Sequence, residues 1–295
     1  MKPLGVIINP AANRGRGGLV GNQALGAFVE AGIPTINLSS DSAEGAKKLA
    51  LSQAQSLSGI VAIGGDGTSQ LGVNIAMEAN LPLGLIPAGS GNDQVRELGI
   101  SLSDPSGAVY NISEGLKKPR HVDVMRVETS YRSFWSLGSI SAGFDALCAE
   151  RANGLTWPKG PNSYIAAMLL ELPKFKPIEY RLLADGVERR FKAMLCGVAN
   201  VKNFGGGMKI SPKSDMSDGE LEVFILHEVS RPKLLKIFPT VYKGEHIQYK
   251  EVEIFKARNI RIENDGFPMT CDGEIIGPAP FSVSIQPSAL TLLSR

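Results

Sequence analysis

The sequence predicts an α/β-plus-β protein of two domains: an open parallel α/β domain over residues 1–120 and an antiparallel β-sandwich over 121–286. Three observations predict it. Up to about residue 118, short apolar runs alternate with helical stretches, the pattern of a parallel sheet covered by helices. Three of those apolar runs end in glycine-rich polar loops. Beyond residue 120, segments alternating polar and apolar residues take over, as half-buried strands of two antiparallel sheets do.

In the first half, strands are expected at 4–9, 33–38, 59–64 and 83–87, and helices at 17–31, 42–55, 68–79 and 105–116. The apolar Leu4-Gly-Val-Ile-Ile8 leads into Asn9-Pro-Ala-Ala-Asn-Arg-Gly-Arg-Gly-Gly18. Val61-Ala-Ile runs into Gly64-Gly-Asp-Gly-Thr68, and Leu83-Gly-Leu-Ile into Pro87-Ala-Gly-Ser-Gly-Asn-Asp93. Lys117-Lys-Pro-Arg120 breaks the alternation and reads as a linker. In the second half, strands are expected at 121–128, 133–142, 178–185, 191–200, 220–226, 252–256, 258–263, 268–271 and 281–286. Two helices interrupt them, near 142–153 and from Ser163 to Leu172, the second ending before Pro173. Ile165, Met168, Leu169 and Leu172 share one helical face. Core packing is the default for such a face; an apolar wall for a lipid is the sharper alternative. The tail 287–295 reads as a last strand or as a return to the first domain.

Composition narrows the class. Hydrophobic content of 43% and charged content of 20% are ordinary for a soluble globular protein, and a net charge of +2 gives no argument for nucleic acid. No run approaches the roughly 18 apolar residues of a membrane span, and the N-terminus enters a strand directly, without a leader pattern. Cys148, Cys196 and Cys271 lie far apart and read as reduced core thiols of a cytoplasmic protein.

The loops carry the chemistry. Glycine admits positive φ and lets other atoms approach the backbone. Exposed amides ahead of a helix N-terminus attract phosphate. A carboxylate among such amides, Asp66, points to Mg²⁺ carried with a nucleotide; the plainer alternative is an N-cap aspartate. Ligands of parallel sheets bind outside the carboxyl ends of the strands, where all three loops belong. Nucleotide binding is the reading on which they converge.

Gly64-Gly-Asp-Gly-Thr68 followed by Pro87-Ala-Gly-Ser-Gly-Asn-Asp93 resembles the catalytic domain shared by diacylglycerol kinases and sphingosine kinases, in the size range of the soluble bacterial lipid kinases. Ser141-Ala-Gly-Phe-Asp-Ala146, Asn203-Phe-Gly-Gly-Gly-Met208, Ser217-Asp-Gly-Glu-Leu221, Lys243-Gly-Glu-His246 and Cys271-Asp-Gly-Glu274 follow in the family's order. NAD kinases share the Gly-Gly-Asp-Gly-Thr turn and phosphofructokinases have a related one. The combination with Asn92-Asp93 and the late Asp-Gly-Glu is the specific part.

The resemblance implies a phosphofructokinase- or NAD-kinase-like α/β domain, a β-sandwich, and an active site in the interdomain cleft. It implies an ATP- and Mg²⁺-dependent phosphotransferase acting on a lipid hydroxyl, first of all diacylglycerol, to give phosphatidic acid. Carried over by position, Asn9, Pro10, Ala11, Ala12, Asn13, Ser40, Gly65, Asp66, Gly67, Thr68, Ser69, Gln70, Leu71 and Ser90 line the ATP site, with Asn92 and Asp93 beside them. Asp66 and Asp93 hold the nucleotide's Mg²⁺ through water, Glu274 is the catalytic base and Asp272 its neighbour. A structural Mg²⁺ takes the Asp218 side chain and the backbone carbonyls of Asp215 and Glu220; an ordinary Asp-Gly turn is the equal alternative. Transfer to an alcohol does need a carboxylate to take the proton. Two apart on a strand, Asp272 and Glu274 would share a face, whereas an Asp-Gly hairpin turn would separate them.

Such an enzyme would be cytoplasmic and would meet its lipid peripherally at a membrane surface, with no nucleic-acid partner; a homo-oligomer is compatible with the sequence. The chain departs from the family in having Gln70-Leu71 where Asn-Glu is usual and Gln94 where an aromatic is usual. His121, His227 and His246 read as structural, and Trp135 and Trp157 as packing, with membrane contact the alternative for Trp157 beside Pro158 and Gly160. NAD kinase and a non-catalytic nucleotide-binding regulator are the competing functions.

Overall fold

The computed structural model describes residues 2–157 and 161–294, so Pro158 and Gly160 lie outside the described residues. The chain forms two units, Met1–Val124 with Pro287–Arg295, and Met125–Gln286.

The first unit contains β1 (Leu4–Ile8), α1 (Ala12–Glu30), β2 (Thr35–Asn37), α2 (Ala43–Gln53), β3 (Gly59–Gly64), α3 (Asp66–Ala79), β4 (Leu83–Pro87), α4 (Asp93–Glu97), α5 (Pro105–Lys117) and the start of β5 (Arg120–Thr129). Its strands run parallel in the order β2-β1-β3-β4, and the end of the chain lays Leu292 opposite Leu83. Every residue of β3 and β4 is buried, as parallel strands covered on both faces must be. Capping sets where the helices start. Ser42 accepts the Gly45 N–H at 3.0 Å for α2, and Asp104 accepts the Gly107 N–H at 2.9 Å for α5, with Pro105 in its first turn. Lys117-Lys-Pro-Arg120 is not a linker but a tight turn from α5 into β5.

The second unit continues β5 and adds β6 (Ser133–Ser136), β7 (Ser139–Gly143), α6 (Phe144–Asn153), α7 (Pro161–Glu171), β8 (Ile178–Ala184), β9 (Val187–Ala199), β10 (Leu221–His227), α8 (Arg231–Ile237), β11 (Val252–Ala257), β12 (Asn259–Glu263), β13 (Pro268–Cys271), β14 (Glu274–Pro278) and most of β15 (Phe281–Leu292). The long β9 belongs to two layers. Its first half pairs with β8, which leads on to β12 and β15; its second half pairs with β7 and β10, which lead on to β13, β14 and β11. Ile140, Cys196, Val223 and Met269 from one layer meet Tyr180, Leu182, Ile262 and Phe281 from the other in a single core. That is a sandwich of antiparallel strands. In β8 the residues alternate buried and exposed along the whole strand, the period of two that made it legible.

Tyr180 is buried in that core, and its hydroxyl donates to the Ala142 carbonyl at 2.7 Å. Tyr180→Phe is expected to lower stability by about 1 kcal/mol in urea denaturation, since an acceptor stays buried without its donor. An unchanged midpoint would show that water replaces the hydroxyl.

Three expectations change. The strand expected over 133–142 is broken at Leu137-Gly138 into β6 and β7. α4, α8 and β14, all five to seven residues long, were too short to show a period. Of the face expected on α7, Met168 and, just past the helix end, Leu172 are buried and Ile165 is half-buried, while Leu169 is 51% exposed and Ala167 takes its place in the buried stripe.

Candidate active site

The ends of β1, β3 and β4 are in register, Ile8 beside Ile63 and Gly64 beside Pro87, so the three polar loops leave one edge of the first unit's sheet. At the end of β3 the chain turns through Gly65 directly into α3. The Asp66 carboxylate faces the neighbouring loop: Oδ2 accepts the Asn92 N–H at 2.8 Å and Oδ1 the Asp93 N–H at 2.9 Å. Asp66 therefore ties the first glycine turn to the second and caps α4 from outside its own segment. The turns touch at their backbones. A Cβ on Gly89 would lie 2.4 Å from Gly65 Cα, so a glycine is required there.

Asn92 braces the second turn from within. It is buried at φ 57°, its amide donates to the Gly89 carbonyl at 2.8 Å, and its side-chain oxygen accepts the Gly89 N–H at 3.0 Å. In the first loop, Asn9 donates to Thr68 Oγ1 at 3.3 Å and accepts the Ala11 N–H at 3.2 Å. Asn13, Arg14 and Gly15 then take left-handed conformations, φ 47°, 60° and 91°. Pro10, Ala11, Asn13, Ser40 and Ser90 are exposed; Ala12, Gly65, Gly67, Gln70 and Leu71 are half-buried; Thr68 and Ser69 are buried in the first turn of α3. The loops thus bring Asn9, Asp66, Thr68, Asn92 and Asp93 together. Asp66 and Asp93 carry hard oxygen atoms of the kind Mg²⁺ takes, and the Asp93 N–H binds the Asp66 carboxylate.

The Asp-Gly-Glu segment corrects one expectation. Cys271 pairs with Glu274 across β13 and β14, leaving Asp272 (φ 51°) and Gly273 (φ 82°) as a two-residue hairpin turn. Asp272 and Glu274 do not share a strand face. The Asp272 carboxylate is received by the Ser136 hydroxyl and the Ser139 N–H, both at 2.9 Å, whereas the Glu274 side chain is exposed at the start of β14.

The 215–220 turn holds a cation of its own. Lys256 Nζ lies 2.6 Å from Asp218 Oδ2 and 3.1 Å from Glu220 Oε2, contacts that raise the lysine's pKa. Asp215 is turned instead onto Ser217, accepting its N–H at 3.0 Å and its hydroxyl at 2.6 Å. Among the described residues, no three His, Cys, Asp or Glu side chains converge on one point. A Mg²⁺ at this turn would compete with Lys256 for the Asp218 and Glu220 carboxylates.

Residues 3–127 match the diacylglycerol kinase catalytic domain, and residues 138–294 match the YegS C-terminal NAD kinase beta sandwich-like domain. A diacylglycerol kinase of Mycobacterium tuberculosis is 32% identical over 290 residues, covering 97% of this chain and 93% of that protein. The chain belongs to the diacylglycerol kinase family. A diacylglycerol kinase of Bacillus subtilis is 28% identical over 289 residues, covering 95% and 92% of the two chains. The crystal structure of a diacylglycerol kinase from Bacillus anthracis str. Sterne shares the fold, with a TM-score of 0.72 at 18% identity, covering 100% of this chain and 97% of that one. This member of the diacylglycerol kinase family is accordingly a phosphotransferase with an alcohol acceptor.

The kinase's second unit also contains an apolar hollow of about 80 Å³, walled by Tyr164 and Met168 of α7, Leu234 of α8, and Phe204, Phe224 and Phe238. Two polar groups sit in that wall. Asp145 accepts a very short hydrogen bond from the Ser141 hydroxyl, its other oxygen is buried without a hydrogen bond, and burial raises its pKa. His246 Nε2 lies 3.0 Å from the Ile210 carbonyl, which makes it the donor; Nδ1 is buried without a partner, and burial lowers the ring's pKa. The sequence offered one of its walls, the face carrying Met168, only as an alternative to core packing. Apolar lining looks like core in a sequence, which is why that face was assigned to packing by default. Of the remaining residues set aside, His227 meets Glu253 at 2.8 Å, Arg126 stacks 4.7 Å above Trp135, and Trp157 is 82% exposed.

Proposed function

We propose that this family member is an ATP- and Mg²⁺-dependent lipid kinase that transfers the γ-phosphoryl group to the free hydroxyl of diacylglycerol, giving phosphatidic acid. The observation that carries the lipid reading is the apolar hollow, lined by aromatic and aliphatic side chains with Asp145 and His246 set in its wall, a lining that suits an apolar ligand. A dinucleotide, polar throughout, has no use for such walls, which disfavours the NAD kinase reading. The glycine loops hold the triphosphate through backbone amides, with Asn9, Thr68 and Ser90 beside them. Asp66 and Asp93 are the residues that would hold Mg²⁺ through water, and the ion when bound neutralises charge on the β- and γ-phosphates. Glu274 takes the proton of the acceptor hydroxyl as its oxygen bonds to the γ-phosphorus and the bond to ADP breaks.

No helix among the described residues is long and apolar enough to cross a membrane, and in this reading the lipid is met at a membrane surface. The exposed Trp157, Leu169 and Leu170 support that contact. Incubation with labelled ATP, Mg²⁺ and dispersed diacylglycerol is expected to yield labelled phosphatidic acid. Labelled NADP from NAD, or ATP binding without any labelled lipid, would replace this reading by one of its competitors.

A further inference from the structure

We propose that Ser136, Gly138 and Ser139 form a receptor for the Asp272 carboxylate, and that Asp272 is a positioning residue that aims Glu274 rather than a second proton acceptor. The proposal rests on the reading of Glu274 as the base. Its observations all lie within the second unit. Ser136 Oγ donates to Asp272 Oδ2 and accepts the Gly138 N–H at 3.1 Å, which fixes the direction of its own proton. Ser139 is tied to Asp272 twice, giving its N–H to Oδ1 and accepting the Asp272 N–H on its carbonyl at 3.0 Å. Ser136 and Ser139 are buried.

Asn200 pins the receptor from the other side. Its backbone N–H donates to the Gly138 carbonyl at 2.9 Å and its side-chain amide to the Leu137 carbonyl at 3.2 Å. Gly138 leaves the space the carboxylate fills, since a Cβ there would lie 1.6 Å from Asp272 Oδ1. The break between β6 and β7 thus has a use: it opens the strand so that two serines and one glycine can close on the hairpin.

The chemistry divides the labour between the two carboxylates. Both Asp272 oxygens are already engaged, Oδ2 by the Ser136 hydroxyl and Oδ1 by the Ser139 N–H, so neither is left to receive an acceptor hydroxyl. Asp272 also occupies a left-handed conformation that costs an ordinary residue on the order of 1 kcal/mol, and its side-chain bonds offset that cost. The buried Cys271 thiol, 3.7 Å from Oδ2, has its pKa pushed well up by desolvation and remains an uncharged neighbour. Glu274 follows Asp272 by two residues across a turn with no slack. Its aim is therefore set by how firmly Asp272 is held.

The test uses the full-length enzyme with ATP and dispersed diacylglycerol. Gly138→Ala is expected to lower kcat about 100-fold, the effect of displacing a catalytic group by about 1 Å. KM for the lipid and affinity for a non-hydrolysable ATP analogue should stay within about twofold, and the acidic limb of the kcat–pH profile should not move, because the base itself is intact. Ser136→Ala should show a smaller loss that Ser136→Thr restores. Asp272→Asn, which keeps a side-chain acceptor for the Ser139 N–H, should retain at least about a tenth of kcat. The proposal is overturned by an Asp272→Asn enzyme as silent as Glu274→Gln while folded and binding ATP, or by a Gly138→Ala enzyme at wild-type kcat.

Hydrogen exchange over 268–278 reads the receptor without turnover. Faster exchange in Ser136→Ala, and in Gly138→Ala where it folds, is expected; unchanged exchange overturns the receptor. A wild-type protein that phosphorylates no lipid would sink the functional reading while leaving the exchange result to judge the hairpin.

Discussion

Glu274→Gln is expected to cut lipid phosphorylation about a thousandfold while ATP affinity and thermal stability stay at wild-type values. Glutamine has the shape of glutamate and cannot take a proton, so the substitution removes general-base catalysis, worth 10²–10⁴ in rate, and little else. The side chain is exposed at the start of β14, so its replacement opens no cavity and buries no new polar group. Initial rates with labelled ATP and dispersed diacylglycerol, together with calorimetric titration of an ATP analogue, separate the two quantities. Retention of more than about a tenth of wild-type activity would remove Glu274 from its role.

Asp66→Asn should act on a different quantity. Each Asp66 oxygen accepts one backbone N–H of the 92–93 segment. Whichever way an asparagine amide is turned, its NH₂ group confronts one of those two donors. Two donors facing each other cost on the order of 1–3 kcal/mol, and the turn that begins α4 comes loose from the turn that begins α3. Mg²⁺–ATP affinity is expected to fall at least about 100-fold, with a melting temperature lower by about 2–4 °C. Unchanged ATP affinity would mean that Asp66 holds the loops together without serving the nucleotide. The two variants form a contrast: one loses turnover at constant ATP binding, the other loses ATP binding first.

β1, β3 and β4 were legible because they are buried on both faces and run into polar loops rich in glycine and asparagine. β8 was legible from its alternation. β14 was not, because Glu274-Ile-Ile-Gly-Pro278 is short and carries two residues that weaken a strand. Loops were found for the same reason as the strands: glycine, asparagine and aspartate have conformational and hydrogen-bonding preferences that act within a few residues.

The site divides along the same line. Asp66, Asn92, Asp93 and Glu274 could be singled out from residue type, spacing and resemblance. What each side chain touches could not. Asn92 looked like a nucleotide contact and is a brace for its own turn. Asp272, expected to share a face with Glu274, is received instead by a break between two strands 133 residues earlier in the chain. The acidic 215–220 turn, open to a metal reading, is met by Lys256 from β11.

Local chemistry, then, was enough for the α/β-then-β order and for the three polar turns at the ends of parallel strands. Each of these follows from backbone conformation and polarity over a handful of neighbours. The pairing of Asp66 with the second turn, the anchoring of Asp272 and the hollow between α7 and α8 depend on contacts between segments distant in sequence. Hydrogen-bond partners and cavities arise from geometry in three dimensions, and an apolar residue facing a hollow is spelled with the same letter as one packed solid.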